Sequence, residues 1–362
     1  MSGSRRQPAS HDRGDPPHRP LIGITMGEPA GIGAEVVVKA LADPQIRGLG
    51  RFVVYGLNEL MVYAADLAEL NIYWYRQPHE QVGRVQSGVV VADFDEYAMI
   101  GPTVRRPTAE GGHASMRFLD EAIADLKAER IDAVVTGPID KTSWRMTGLH
   151  FPGHTEKLAK AFKVRRVAMM FVGGGLRVAL ASAHEGLFEL RNSFTIGKVF
   201  TPIDLLDRAL REWFGVERPR IAVCALNPHA GEGGLFGDEE SRVIEPALLM
   251  AREAGMEVEG PFPADTLFWR AREGRWDGIV AMYHDQGLIP VKLLAFDSAV
   301  NVTLGLPVIR TSVDHGVGYD IVGRSQANPG SMQAAIRLAV QLCLNRAAAG
   351  LSASTESTEK RS

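Results

Sequence analysis

The hydrophobic positions of the chain fall into short uninterrupted runs that are separated by amphipathic stretches. The runs are rich in Val and Ile, and most lack a strict alternation of apolar and polar positions, which is typical of strands buried on both faces. They are PLIGIT (20–25), RFVVYG (51–56), DAVVTGPI (132–139), VAMMFV (167–172), LRVALASAH (176–184), RIAVCALNPH (220–229), GIVAMYH (278–284) and VNVTLGLPVIRTS (300–312). This pattern predicts a sheet that is largely covered on both sides.

Three of the intervening stretches, 118–126, 206–213 and 336–343, carry their apolar residues at helical spacing. Strands that alternate with helices indicate the α/β class. In FVGGGLRV, two short apolar segments surround three glycines, which predicts a hairpin within the sheet system. Because the chain shows no internal repeat and no flexible linker, we expect two interleaved lobes rather than two successive domains.

Composition narrows the class of protein. With 362 residues and 45% hydrophobic content, the chain is long enough for two lobes with their own cores. A net charge of −3 lacks the basic excess of a nucleic-acid-binding protein. The first 20 residues lack the apolar core of a signal peptide, and no run approaches the roughly 18 apolar residues of a membrane span.

The two cysteines, Cys224 and Cys343, lie in apolar periodic segments and are interpreted as buried thiols, which fits a reducing compartment. We therefore expect a cytoplasmic protein with no nucleic-acid or membrane partner. Its folded part is predicted at about 21–350, between disordered tails at 1–20 and 351–362, because both ends are polar.

Three of the ten histidines stand just after an apolar strand segment: His184, His229 and His284. Ligands of open α/β sheets bind outside the carboxyl ends of the strands, and three imidazoles there can hold one divalent cation with an open position. A single histidine of this kind is better explained as a satisfied polar side chain, so the repetition is what favours a metal site. Asp285, next to His284, can orient a ligand.

Polar residues in apolar surroundings indicate a bound anion. Lys292, Asn301 and Arg310 interrupt apolar segments near the C terminus that we predict as strands. A lysine or arginine in such a segment is difficult to solvate, and a buried anionic ligand is an economical partner. His154 and Thr155 stand at a predicted helix start, where they either cap the helix or contact phosphate at its positive end.

Two glycine-containing segments are candidates for lining the site. TMGEPAGIGAE (25–35) follows the first strand and opens a helix, but its spacing is not that of the Rossmann fingerprint. It either lets the chain turn tightly or lines the cleft. SVDHGVGYDIVGRSQANPGSM (312–332) is a long loop after the last strand, and loops of this length are usually functional.

Taken together, these motifs resemble the 4-hydroxythreonine-4-phosphate dehydrogenase family of the vitamin B6 pathway. The resemblance covers about nine tenths of the chain and rests on EPAGIG, VTGPIDK, GHTE, LNPHAGEGG, GPFPADTLF, YHDQGL and VNVTLGLPVIRTSVDHG. It implies an isocitrate/isopropylmalate-dehydrogenase-like fold of two interleaved α/β lobes, about 21–138 plus 305–350 and about 139–304, with a cleft between them. It also implies a homodimer whose metal site is shared, one histidine ligand coming from the partner subunit.

The resemblance further implies a reaction. A small phosphorylated substrate, 4-phosphohydroxy-L-threonine, is oxidised at its 3-hydroxyl with NAD or NADP to a β-keto acid that decarboxylates to 3-amino-2-oxopropyl phosphate. One divalent metal ion, Zn, Mg, Co or Mn, acts as a Lewis acid. The alternative is a 4-phospho-threonate or 4-phospho-erythronate 3-dehydrogenase of sugar-acid catabolism. A phosphate acyl- or butyryltransferase and a non-catalytic metal- or phosphate-binding module are further alternatives.

Roles transfer along the matching motifs. The positions that match metal ligands are His184, His229 and His284. The positions that match substrate contacts are His154, Thr155, Lys292, Asn301 and Arg310. Within the 312–332 loop, the positions that match the segment holding the adenosine part of NAD are His315, Gly316, Asp320 and Asn328. Asp285 and Lys141 are the candidates for taking the hydroxyl proton, although Lys141 equally fits a solvated lysine at a helix start.

Overall fold

The computed structural model describes residues 19–83, 85–97, 104–148 and 151–350. The tails expected at 1–20 and 351–362 lie outside these ranges, except for residues 19 and 20. The strands are β1 Leu21–Thr25, β2 Arg51–Gly56, β3 Tyr75–Pro78, β4 Val89–Asp93, β5 Ala133–Thr136, β6 Ala168–Gly173, β7 Leu176–Leu180, β8 Arg220–Cys224, β9 Glu257–Phe262, β10 Gly278–Ala281, β11 Val300–Leu304 and β12 Ile309–Val313. The α-helices are α1 Gly33–Ala42, α2 Pro44–Arg47, α3 Asn58–Leu67, α4 Ala109–Lys127, α5 Lys141–Met146, α6 His154–Ala161, α7 Leu190–Ser193, α8 Ile196–Glu212, α9 Glu245–Glu253, α10 Ala264–Ala271, α11 His284–Ala295 and α12 Gly330–Ala348.

The described strands form one sheet in the order β3-β4-β2-β1-β5-β12-β11-β6-β7-β10-β8-β9. Neighbouring strands are parallel except that β11 runs antiparallel to both β12 and β6, and β6 runs antiparallel to β7. The first six strands in this order come from 21–136 and 309–313, and the other six come from 168–304. The predicted α/β class is confirmed.

Each apolar run that predicted a strand contains one, except that the run at 300–312 contains both β11 and most of β12, and the predicted hairpin joins β6 to β7. The hairpin turns at Gly174 and Gly175, whose φ angles of +59° and +81° are in the left-handed region that favours glycine. The sequence pattern missed β3, β4 and β9. Of these, β3 and β9 are the two edge strands, and their partly exposed residues do not form an apolar run.

The predicted helical stripes lie in α4, α8 and α12, and their apolar residues are buried against the sheet. In α8, for example, Leu206 and Leu210 pack so closely on Gly278 of β10 that a side chain at that position would collide with them. Within the described ranges, no helix is long and apolar enough to cross a membrane.

The prediction that Lys292 lies in a strand is wrong, because its segment belongs to helix α11. One face of α11 is buried through Leu288, Val291 and Ala295, while Ile289 and Leu293 on another face are exposed. A helix that is apolar on two faces produces a continuous apolar run, and periodicity alone does not separate such a run from a buried strand.

Candidate active site

A cavity of about 390 Å³ lies where β5, β7, β10 and β12 end. Its walls come from the segment after β5, the start of α6, β6, β11 and α11. The predicted site residues that line it are Lys141, His154, Thr155, His184, His284, Lys292, Asn301, Arg310, His315 and Gly316. Four other predicted site residues do not line it: His229, Asp285, Asp320 and Asn328.

Arg310 is a buried cation at the base of this cavity. Only 3% of the residue is exposed. Its Nε and Nη2 donate to the Thr136 hydroxyl at 3.2 and 2.7 Å, and its Nη1 donates to the Thr303 hydroxyl at 3.0 Å. Among the described residues, no carboxylate lies within ion-pair distance of it. Burial lowers the pKa of Arg310 to about 10, with the Glu156 carboxylate opposing this, so the guanidinium stays charged at neutral pH.

Two unpartnered polar atoms in the cavity wall indicate a polar ligand beside Arg310: the His154 ring nitrogen can donate to an anion, whereas the Asn301 carbonyl oxygen accepts from an N–H or O–H of the ligand. Nε2 of His154 and Oδ1 of Asn301 are buried and have no hydrogen-bond partner in the part of the chain that the structure describes. Burial, together with Arg310 and Lys141, lowers the pKa of His154 well below its ordinary value, so the ring is neutral. Buried polar atoms are normally paired, and these two are therefore positioned for a ligand. Thr155 lies next to them in the first turn of α6, whose backbone N–H groups attract anions.

His184 and His284 form a pair of metal-binding donors that line the same cavity. They follow β7 and β10, which are parallel neighbours, and their ring centroids lie 6.1 Å apart. Nδ1 of His284 lies 2.7 Å from Oδ1 of Asp285, which leaves Nε2 available for a cation. Burial first, and then Lys141 and His284, lower the pKa of His184, which favours the unprotonated form that binds metals. These two imidazoles fit the donor set of a transition-metal ion.

His229 lies apart from this pair. It follows β8, the next strand beyond β10, but its side chain is 68% exposed and its Nδ1 lies 3.1 Å from Oε2 of Glu232. Over the described ranges, no group of three or more His, Cys, Asp or Glu residues is placed to hold a metal ion. One chain therefore brings together two of the three predicted metal ligands.

The backbone that carries His229 is strained. Five successive residues, from His229 to Gly233, have left-handed φ angles between 44° and 77°. Three of them are not glycine, and each such residue costs about 1–2 kcal/mol. The buried Glu240 holds the segment, since its Oε1 accepts hydrogen bonds from the backbone N–H groups of Leu226 and Asn227 at 2.9 and 2.8 Å. Sequence reasoning missed Glu240, although three acids directly follow the glycine-rich segment.

Asp314 is a second residue that sequence reasoning missed. Its Oδ2 lies 3.2 Å from Nζ of Lys292, and burial raises the pKa of Asp314 while Lys292 opposes the rise. The available signal was its place between the strand β12 and the predicted site residue His315. Because the Lys292 ammonium already has a carboxylate partner, its attraction for an added anion is weaker than that of Arg310.

Lys141 lines the cavity from the first turn of α5. Asp140 caps this helix by accepting hydrogen bonds from the backbone N–H groups of Thr142 and Ser143 at 2.7 and 2.9 Å. The cap fixes the start of the helix and with it the position of the Lys141 backbone.

A buried carboxyl group lies behind the cavity in the turn between β1 and α1. Glu28 is fully buried, and its Oε1 accepts a hydrogen bond from the Ala30 N–H at 3.4 Å. Burial raises the pKa of Glu28 to about 7, and the nearby Asp140 adds to the rise. Gly111 of α4 leaves the room for this carboxyl group, because a Cβ there would lie 2.1 Å from Oε1.

The loop after β12 reaches from the cavity towards α1. His315 lines the cavity, and its Nε2 is buried without a partner among the described residues. Farther along, the N–H of Ile32 donates to the carbonyl of Val317 at 2.9 Å. Asn328 accepts a hydrogen bond from the Gly330 N–H at 2.8 Å and so helps to start α12.

Apolar surface surrounds the mouth of the cavity. Two further cavities, of about 380 and 580 Å³, adjoin it and share His284 with it. Leu293 of α11 and Phe296 just after it are 84% and 75% exposed on one of these, and Leu187 is exposed on the other. Clustered exposed apolar side chains are typical of a protein–protein contact.

Comparison with known proteins gives consistent matches. A family model described as "Pyridoxal phosphate biosynthetic protein PdxA" matches residues 49–339. A 4-hydroxythreonine-4-phosphate dehydrogenase of Geobacter metallireducens is 42% identical over 336 residues, covering 92% of this chain and 99% of that protein. A D-threonate 4-phosphate dehydrogenase of Cupriavidus necator is 42% identical over 334 residues, covering 91% and 98%. The crystal structure of a 4-hydroxythreonine-4-phosphate dehydrogenase from Klebsiella pneumoniae is similar with a TM-score of 0.79 and 37% identity, covering 90% of this chain and 99% of that one.

Proposed function

The chain belongs to the pyridoxal phosphate biosynthetic protein PdxA family, and we propose on this basis that it oxidises 4-phosphohydroxy-L-threonine at the 3-hydroxyl with NAD or NADP. The product is a β-keto acid, which loses carbon dioxide to give 3-amino-2-oxopropyl phosphate. The observation that carries the proposal is Arg310, a buried guanidinium with no carboxylate partner among the described residues, in the same cavity as the His184–His284 pair. An anion site next to metal donors suits a phosphorylated hydroxy substrate.

The cavity residues divide the work of holding this substrate. Arg310, His154 and Thr155 hold the phosphate, while Lys292 and Asn301 orient the remaining polar groups. Holding the substrate in one orientation supplies much of the rate. We propose Lys141, acting as the neutral amine, rather than Asp285 as the group that takes the hydroxyl proton, because Lys141 lines the cavity whereas Asp285 is engaged with His284.

We propose that one divalent metal ion, chosen from Zn, Mg, Co and Mn, binds at His184 and His284. When bound, it supplies Lewis acidity at the substrate hydroxyl. Imidazole donors are typical of zinc rather than of magnesium. The residues of the chain prepare this site, since Asp285 fixes the tautomer of His284 and burial keeps His184 unprotonated.

We propose that the third imidazole comes from the partner subunit of a homodimer. His229 is exposed and lies outside the cavity of its own chain, and its strained segment presents it to the surroundings. The exposed Leu293 and Phe296 beside His284 supply apolar surface for the contact. Strain of this kind persists at functional sites, where it is part of the arrangement of the site.

Mixing two inactive variants tests this sharing. In a dimer of one His229→Ala chain and one His284→Ala chain, a shared site leaves one of the two sites intact. Random pairing therefore restores about a quarter of wild-type activity if the dimer is symmetric. If all three imidazoles came from one chain, both sites would be defective and the mixture would stay inactive. Two His284→Ala preparations mixed in the same way are the control.

We also propose that the loop after β12 holds the adenosine part of NAD or NADP. His315 and Gly316 line the cavity at the near end of this loop, while Asp320 and Asn328 lie farther along it. Two lobes, about 21–138 plus 305–350 and about 139–304, would then flank the cavity. The order of strands supports this division, because each half of the sheet draws its strands from one of these sets. The two free cysteines, Cys224 and Cys343, fit a cytoplasmic location.

A second candidate substrate is D-threonate 4-phosphate, because the Cupriavidus necator relative with that name is as similar as the first relative, at 42% identity. The deciding experiment follows reduced nicotinamide by absorbance with metal-loaded enzyme. It offers 4-phosphohydroxy-L-threonine, 4-phospho-threonate and 4-phospho-erythronate in parallel. We expect the highest kcat/KM with the amino substrate. A preference for a hydroxy acid would move the enzyme to sugar-acid breakdown, and no turnover with any of the three would refute the proposal.

A further inference from the structure

Helix α1 contacts the C-terminal part of the loop between β12 and α12. This loop, residues 314–329, contains neither helix nor strand. Nζ of Lys39 donates hydrogen bonds to the carbonyls of Ser325 and Ala327 at 2.8 and 3.2 Å. Oε1 of Glu35 accepts from the N–H of Ala327 at 2.8 Å. Nζ of Lys39 also lies 2.7 Å from Oε1 of Glu35, so two paired side chains bind three backbone groups of the loop.

The contacts of Glu35 and Lys39 favour one conformation of the loop. The side chains of Glu35 and Lys39 are 8% and 18% exposed, so water competes little for their hydrogen bonds. Ser325 has a left-handed φ of +53°, which a free chain adopts rarely at a non-glycine residue. The contacts therefore stabilise a conformation that the loop would not keep by itself.

Neither residue lines the cavity that contains Arg310, so neither has a place in the chemistry described above. The apparent Kd of a ligand that binds only the ordered loop equals its intrinsic Kd divided by the fraction of molecules in which the loop is ordered. We propose that Glu35 and Lys39 are positioning residues that preorganise the loop for the nicotinamide dinucleotide. This inference rests on the proposed cofactor role of the loop.

The test compares Lys39→Met with wild type, with Lys39→Arg as the conservative variant and Arg211→Met as the matched control. Arg211 of α8 makes the same kind of contacts, to a carboxylate four residues away at 2.8 Å and to a backbone carbonyl at 2.6 Å, but far from the loop in sequence. NADH and NADPH binding is measured by nicotinamide fluorescence. Loop order is measured separately, as the rate of trypsin cleavage after the exposed Arg324, located by mass spectrometry.

We expect Lys39→Met to raise the Kd of the dinucleotide about 10-fold, which corresponds to about 1.4 kcal/mol. Cleavage after Arg324 becomes faster, while the KM of the phosphorylated substrate and kcat at saturating dinucleotide stay near wild type. Lys39→Arg restores most of the affinity, and Arg211→Met changes neither readout.

Two results would overturn the inference: equal dinucleotide affinity in Lys39→Met and wild type, or an equal rise in Arg211→Met. Faster cleavage with unchanged dinucleotide affinity would show that the contacts of Glu35 and Lys39 order the loop without affecting cofactor binding. Failure of the proposed function is distinguishable, because wild-type enzyme would then bind neither dinucleotide. The cleavage comparison would still show whether the contacts of Glu35 and Lys39 order the loop.

Discussion

Replacing Arg310 by Met should remove the response of the protein to phosphate. Methionine is also long and unbranched, so it fills much of the same space but removes the charge and the three hydrogen bonds to Thr136 and Thr303. Inorganic phosphate serves as the probe because it presents the same oxygens as the phosphorylated substrate. Wild-type protein at a phosphate concentration of about 100 Kd gains about 2.7 kcal/mol of stability through linkage.

The loss in the variant can be estimated from the geometry. A guanidinium that makes two charge-assisted hydrogen bonds to phosphate contributes about 1.5–3 kcal/mol for each. Even the lower bound, about 3 kcal/mol in total, raises Kd more than about 100-fold. At the same phosphate concentration, the variant then gains no more than about 0.4 kcal/mol.

Thermal unfolding converts these energies into temperatures. About 330 folded residues at about 2.1 cal/mol/K each give an unfolding entropy near 0.7 kcal/mol/K. Phosphate should therefore raise the Tm of wild type by about 4 °C and that of Arg310→Met by less than about 1 °C. The control is Arg166→Met, which removes an arginine that pairs with Asp204 outside the cavity. Sodium chloride at matched ionic strength corrects for screening. An equal shift in Arg310→Met and wild type would refute the assignment of Arg310 to the anion site.

Three further predictions concern groups around the site. Native Glu28 keeps its proton up to about pH 7, whereas the unfolded chain releases it near 4.5, so the free energy of unfolding should fall by up to about 3 kcal/mol as pH rises through this window. When Tm is measured against pH, Glu28→Gln should show a smaller fall than wild type. Identical curves for the two proteins would contradict this prediction. His229→Ala should lose tightly bound divalent metal and turnover, while the exposed His113→Ala keeps both; metal analysis decides, and wild-type turnover in metal-free His229→Ala would count against a metal role. Gly231→Ala places a Cβ 2.8 Å from Oε2 of Glu240 at a φ of +77°, so the free energy of unfolding should decrease by about 1–3 kcal/mol and Tm should fall. An unchanged Tm would show that the segment relaxes freely.

The sequence predicted most of the strands that are buried on both faces, because they form apolar runs, but it missed β4, whose five residues are all buried. It missed β3 and β9 because edge strands carry polar residues, and it misassigned α11 because a helix with two apolar faces has no visible period. These are cases in which the position of an element in the whole sheet decides its composition. That position depends on pairings between distant segments, which a local pattern does not contain.

The site was predictable to the extent that its residues are polar in apolar surroundings. Arg310 and Asn301 stood out for this reason, and the structure places both in the cavity. The position of His229 was not predictable, because the left-handed backbone of residues 229–233 leaves no signal in the pattern of apolar positions. The hydrogen bond between Glu35 and Ala327 was also not predictable, since 292 residues separate the two partners along the chain.

The antiparallel ladder between β11 and β12 ties the two halves of the sheet together beside the cavity. Val300 pairs with Val313, and Val302 pairs with Thr311, so hydrogen bonds cross the line along which two bodies would otherwise swing apart. Rotation of the two halves about this line would bend the ladder and strain its hydrogen bonds. We therefore expect the distance between Arg310 and the histidine pair to change little when a ligand binds. Amide hydrogens in this ladder should consequently exchange with solvent among the slowest in the protein.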